Sequence, residues 1–136
     1  MSRNFVARVL LPMLTLCPWW ATAQPTLPET AKPVLGEQIK QLLANRTFKF
    51  VVHDAGVVAH GTSTWDPLSE VAYGEYVWGT RSGKWRKQWK VIGNKNCIGD
   101  GGKSPWVCQN IFVDGLTHYE VRDDGVIHAV NTPIVK

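Results

Sequence analysis

The sequence predicts an α+β domain that is mainly β. An N-terminal helix leads into an antiparallel meander of about seven strands, curled into a small barrel or half-barrel and carrying one disulfide. Three observations predict this. Apolar residues recur with a helical period between Leu35 and Leu43. From Thr47 onward, β-rich runs alternate with turn residues about every 8–12 positions. Cys97 and Cys108 bracket a single glycine-rich loop.

Residues 1–23 read as a secretory signal peptide. Arg3 and Arg8 give a basic start without acids, Val9 to Cys17 is a short apolar run, and Ala21-Thr22-Ala23 is a small-residue exit. The apolar run is too short for a bilayer core of about 30 Å, which needs roughly 20 residues. Pro12 and Pro18 break a continuous helix, and Leu16 is too bulky a neighbour for Cys17 to be a lipidation site. The processed chain is therefore expected in the periplasm or the medium, without a transmembrane anchor. Residues 24–34, with Pro25, Pro28 and Pro33, read as a Pro-rich leader, extended or disordered. Residues 35–136 read as one β-rich domain.

Within it, Leu35, Ile39, Leu42 and Leu43 share a helical face, and Asn45 is suited to a left-handed stop. The period then drops to two. Phe48, Phe50 and Val52 open a first strand, Asp54 to Gly56 turn it, and Val57 to Trp65 return. Further strands are expected at Val71–Thr80, Lys84–Ile92, Val107–Val113, Leu116–Arg122 and Val126–Val130.

Charge narrows the function. The full chain has 15 basic and 11 acidic residues, and loss of Arg3 and Arg8 lowers its formal charge from +4 to +2. That weak field argues against nucleic acid as a partner. Cleavage also removes Cys17, leaving Cys97 and Cys108 as an even pair, which in an exported protein reads as a disulfide.

Between those cysteines, "GDGGKS" imitates a phosphate-binding loop. The imitation fails because Cys97 stands where the first glycine belongs, and Pro105-Trp106 follow where a helix should start. Glycines for tight turning, with Asp100 and Lys103 at a wet tip, make it a stapled loop. Asp100 and Lys103 are then the candidate contacts for a protein partner.

Along "KWRKQWKV", alternation puts Trp85, Lys87, Trp89 and Val91 on one face and Lys84, Arg86, Gln88 and Lys90 on the other. Tryptophans in a core with cations in solvent account for this. Lys87, the cation on the tryptophan face, is a candidate for a barrel mouth facing an anionic ligand. The candidate ligand face is Trp78, Trp85, Lys87, Trp89, Tyr119 and Arg122. His53, His60, His118 and His128 fit no metal motif and are expected at the surface or rim. A three-residue turn at Asp123–Gly125 would set His128 beside Glu120 and near His118, and a two-residue turn would send it to the other face. No cofactor, metal or catalytic residue is indicated. Ser63, Ser69, Ser82 and Ser104 lack a nucleophile-elbow context, and Asp123-Asp124 suit a turn.

Three segments, "LGEQIKQLLANRTF", "SGKWRKQWKVIGNKNC" and "CQNIFVDGLTHYEVRDDG", together resemble a family of small exported Gram-negative proteins classed as a domain of unknown function. The likeness runs from Leu35 to Gly125 and rests on spacing: a short helix, a Gly-x-Trp strand entering one cysteine, and a second cysteine opening a strand-turn-strand. It implies an envelope location and a β fold, and brings no established activity. The leading expectation is a non-catalytic module that binds a small ligand or an envelope protein. The alternatives are an inhibitor that presents the Cys97–Cys108 loop to an enzyme, and a hydrolase with a discontinuous site.

Overall fold

The computed structural model describes residues 23–135. The signal-peptide reading of residues 1–23 therefore lies, but for Ala23, outside the described residues. One short helix, α1 (Glu37–Leu43), accompanies nine strands: β1 (Lys32–Val34), β2 (Thr47–Val52), β3 (Ala59–Asp66), β4 (Val71–Trp78), β5 (Arg81–Ile92), β6 (Lys95–Gly99), β7 (Val107–Asp114), β8 (Thr117–Val121) and β9 (Ile127–Pro133). Each of β2 to β9 pairs antiparallel with the next, and β9 pairs back onto β2, so eight strands close a barrel.

The expected meander is present with two additional strands. β1 lies inside the segment read as a leader; its three residues pair with the far end of β7, and Val34 is buried in the core. Pro33 is tolerated there because so short an edge strand needs few N–H groups. β6 carries no alternating apolar signal, yet it is held on both sides, by β5 and by β7. The barrel is therefore closed and complete.

α1 plugs one end. Ile39 and Leu43 are wholly buried against Phe48, Trp65, Trp89 and Ile111, and Leu42 packs beside them. Leu35, expected on the same face, precedes the helix and stays exposed. Asn45 does adopt the left-handed conformation, with φ of 58°, and its N–H donates to the Trp65 carbonyl at 2.8 Å, locking the plug to β3. The opposite end of the barrel is ringed by the loops after β2, β4, β6 and β8.

Cys97 and Cys108 face each other across the β6–β7 ladder and are bonded. Such a bond is compatible with an oxidising compartment. The loop they subtend turns through Gly101 and Gly102, both at positive φ, and then folds back. Trp106 lies on Gly99, where any side chain would collide with its ring, and the Lys90 ammonium sits 4.3 Å above that indole. Replacing both cysteines by serine should lower stability by about 3 kcal/mol through the freed unfolded chain. The β6–β7 ladder should persist. Urea denaturation checks this, and an unchanged midpoint would contradict it.

Candidate functional site

The inward faces follow from strand alternation. On β5 they are Trp85, Lys87, Trp89 and Val91, as the sequence face indicated, because Trp89 lies opposite Ile98 and Lys87 opposite Ala72. These side chains differ in depth. Trp89 is 2% exposed, edge-on to Trp65, and its indole N–H donates to Asn96 Oδ1 at 2.6 Å. It belongs to the packed lower core and does not line the cavity at the open end. Trp85 and Lys87 lie nearer the open end.

There the barrel encloses a cavity of about 430 Å³. Its walls are aromatic: Phe50, Tyr76, Trp78 and Trp85. Its polar groups are Ser63, Glu120 and Asn131, with Lys87 and His128 as well. Trp65 lies beside Ser63, whose hydroxyl accepts its indole N–H at 3.2 Å. The wall is shaped by a break in the β3–β4 ladder between the Gly61–Tyr76 and Thr64–Tyr73 pairs. In that break a Cβ on Gly74 would stand 1.8 Å from the Thr62 carbonyl oxygen. The same carbonyl accepts the Trp85 indole N–H at 3.1 Å, which fixes the ring as a wall.

Glu120 was weighed in the sequence only as a neighbour of histidines. It faces this cavity. Burial raises its pKa, against the lowering influence of a charge on His128 and of the Asn131 amide, which donates to Oε1 at 3.3 Å. His118 lies on the same face of β8, opposite Asn131. It contradicts the expected surface or rim placement: it is fully buried, edge-on to Phe48 with ring centroids 4.7 Å apart. Neither ring nitrogen has a partner among the described residues, and burial pushes its pKa down to about 3. The imidazole is neutral at ordinary pH.

The last hairpin answers the question of register in a third way. The Asp123–Gly125 turn is spanned by the Arg122 N–H donating to the Val126 carbonyl, which would have set His128 opposite Glu120. A bulge then intervenes: Val121 pairs with Ile127, but Glu120 pairs with Ala129. His128 is the extra residue. Its Nδ1 lies 2.7 Å from Asp54 Oδ1, and its ring borders both the cavity and a larger open groove of about 660 Å³.

That groove receives Arg122, paired with Asp124 at 2.9 Å and with Asp54 at 3.5 Å, so Arg122 does not line the cavity. Tyr119 is not there either, since it sits opposite Phe112 on the outer side of the β7–β8 ladder. Of the six expected face residues, Trp78, Trp85 and Lys87 line the cavity. Phe50, Tyr76 and Asn131 also line it without having been weighed as site residues, and Ser63 and Glu120 line it although they were weighed only for other roles. In the stapled loop, Asp100 accepts from the Ser104 hydroxyl and N–H, each at 2.8 Å. These bonds, with Lys87 nearby, lower its pKa. Asp100 thus holds the loop's shape, while Lys103 stands in solvent. Among the described residues no group of three or more potential ligands is placed to hold a metal ion, and no helix is long and apolar enough to cross a membrane. The chain matches no family model, no curated protein and no solved structure.

Proposed function

We propose that this protein is a non-catalytic ligand-binding module of the cell envelope, and that the barrel interior receives a small, largely apolar molecule through the end opposite α1. The observation that carries this reading is the aromatic cavity of about 430 Å³, within the roughly 300–1,000 Å³ range of small-molecule sites. Large rings left partly uncovered inside a closed barrel are costly in water, and a ligand relieves that cost. An inhibitory role for the stapled loop gains less support. Asp100 is spent on Ser104, and Trp106 is folded onto the loop's own base.

The test uses N-phenyl-1-naphthylamine, a neutral dye that brightens in apolar surroundings. The protein should take it up with a blue-shifted, saturable signal. Ala59→Trp, which adds an indole beside Trp78 at the mouth, should abolish uptake while leaving the thermal transition in place. Absence of uptake by the unaltered protein, or equal uptake by the plugged variant, would defeat the reading.

A further inference from the structure

We infer that the cavity is built for an organic cation: a flat apolar body held between the aromatic walls, with a protonated amine seated on Glu120. This rests on the ligand-binding reading above and narrows it to a chemical class.

The argument begins with an unpaired carboxyl. Glu120 faces the cavity, its one hydrogen bond among the described residues is the Asn131 amide at 3.3 Å, and it forms no ion pair there. A carboxylate removed from water is stabilised by a partner that supplies both charge and hydrogen bonds. The nearby cationic groups are engaged elsewhere. His128 acts on Glu120 through its charge but is bonded to Asp54 at 2.7 Å, and Lys87, exposed on the cavity wall, has Asp100 as its electrostatic neighbour. His118, on the same strand, is buried and neutral. A ligand ammonium supplies a charge in direct contact with the carboxylate, which none of these groups does.

The walls suit the same class. Phe50 and Trp85 stand at 74° to each other with centroids 6.3 Å apart, and with Tyr76 and Trp78 they surround the space next to Glu120. The negative faces of aromatic rings attract cations, more strongly where water is excluded. An anionic ligand would bring its charge toward the carboxylate. A neutral one would leave Glu120 without a cation in direct contact.

The raised pKa of Glu120 adds a signature. An ammonium stabilises the carboxylate, so binding to the protonated acid expels a proton. The titratable groups sharing the cavity with Glu120 are His128 from β9, Lys87 from β5 and Tyr76 from β4, and His118 lies two residues away on the same face of β8.

Three indoles of similar shape provide the experiment: tryptamine as cation, tryptophol as neutral analogue and indole-3-propionate as anion. Each is used to displace N-phenyl-1-naphthylamine from the protein. Tryptamine should displace the dye at about a tenfold lower concentration than tryptophol, with indole-3-propionate weakest. Calorimetry at pH 4.5, in two buffers of different ionisation heat, should show proton release with tryptamine and none with tryptophol. Glu120→Gln should bring tryptamine to the level of tryptophol, and its thermal transition reports that the variant folds. Equal or better displacement by tryptophol or indole-3-propionate, or a preference that survives in Glu120→Gln, would overturn the inference and leave the ligand-binding reading intact. If the dye itself never enters, that reading falls first.

Discussion

His118→Phe should be more stable than the unaltered protein at neutral pH and much less sensitive to acid. The imidazole is wholly enclosed, and neither nitrogen has a protein partner among the described residues. An unsatisfied buried polar group costs about 1–3 kcal/mol, and an apolar ring of similar shape removes that cost. Acid adds a second effect. The folded pKa of about 3 lies below the ordinary 6.5, so as pH falls through 6.5 the unfolded chain binds a proton that the folded one refuses. Stability from this source is complete above pH 6.5 and falls by about 1.4 kcal/mol per unit toward pH 3, in all on the order of 4–5 kcal/mol.

Glu120 works in the opposite direction. Its folded pKa is raised above 4.5, so its contribution is present below that value and is lost as pH rises. Just above pH 4.5 the Glu120 effect opposes that of His118, and below it His118 acts alone, so the loss should steepen there. Urea midpoints at pH 7, 5.5 and 4 check this. His118→Phe should flatten the acid limb, and Glu120→Gln should raise the pH at which it begins. A His118→Phe variant with the unaltered protein's acid limb would refute the assignment.

Trp89→Ala should cost about 4 kcal/mol or more, whereas Trp78→Ala should change stability by under about 1 kcal/mol and weaken dye uptake instead. The two tryptophans were equivalent candidates in the sequence. In the barrel Trp89 is 2% exposed and Trp78 45% exposed. Truncating Trp89 leaves a cavity beside Trp65 and strips Asn96 of its donor, adding a desolvation penalty to the packing loss. For a domain of this size the thermal midpoint should drop by roughly 15 °C or more. Similar losses at both positions would mean that Trp78 is also structural.

These residues show what alternation can and cannot reveal. Along β5 the period of two named the inward face correctly, because Trp85, Trp89 and Val91 are large and apolar. It gave no depth, since a wall and a floor share one face. In β8 the pattern misled. Apolar-inward reading of "THYEV" favours Tyr119 over its neighbours, yet His118 and Glu120 face in, and the bulge at His128 lets Val121 be buried as well. A polar residue placed where patterning calls for an apolar one is the expected mark of a site that gives up stability for another purpose. β6 escaped notice because its pairing comes from two neighbours and a covalent bond, not from its own side chains. The break in the β3–β4 ladder at Gly74 was illegible because it depends on a carbonyl and an indole far apart in sequence.

The ring has a seam, and its position sets a timetable. β2 closes the circle with β9, Phe48 opposite Pro133. Until β9 is available, β2 has one neighbour and α1 has no finished vessel to stop. Contacts that span most of a chain are slow to form, since the long intervening loop must be ordered before the pairing rewards it. Assembly should therefore begin with the local hairpins from β3 to β7 and end at the seam, so a protein emerging segment by segment would stay open-edged to the last. Hydrogen-exchange pulses during refolding should label the amides of β2 and β9 latest.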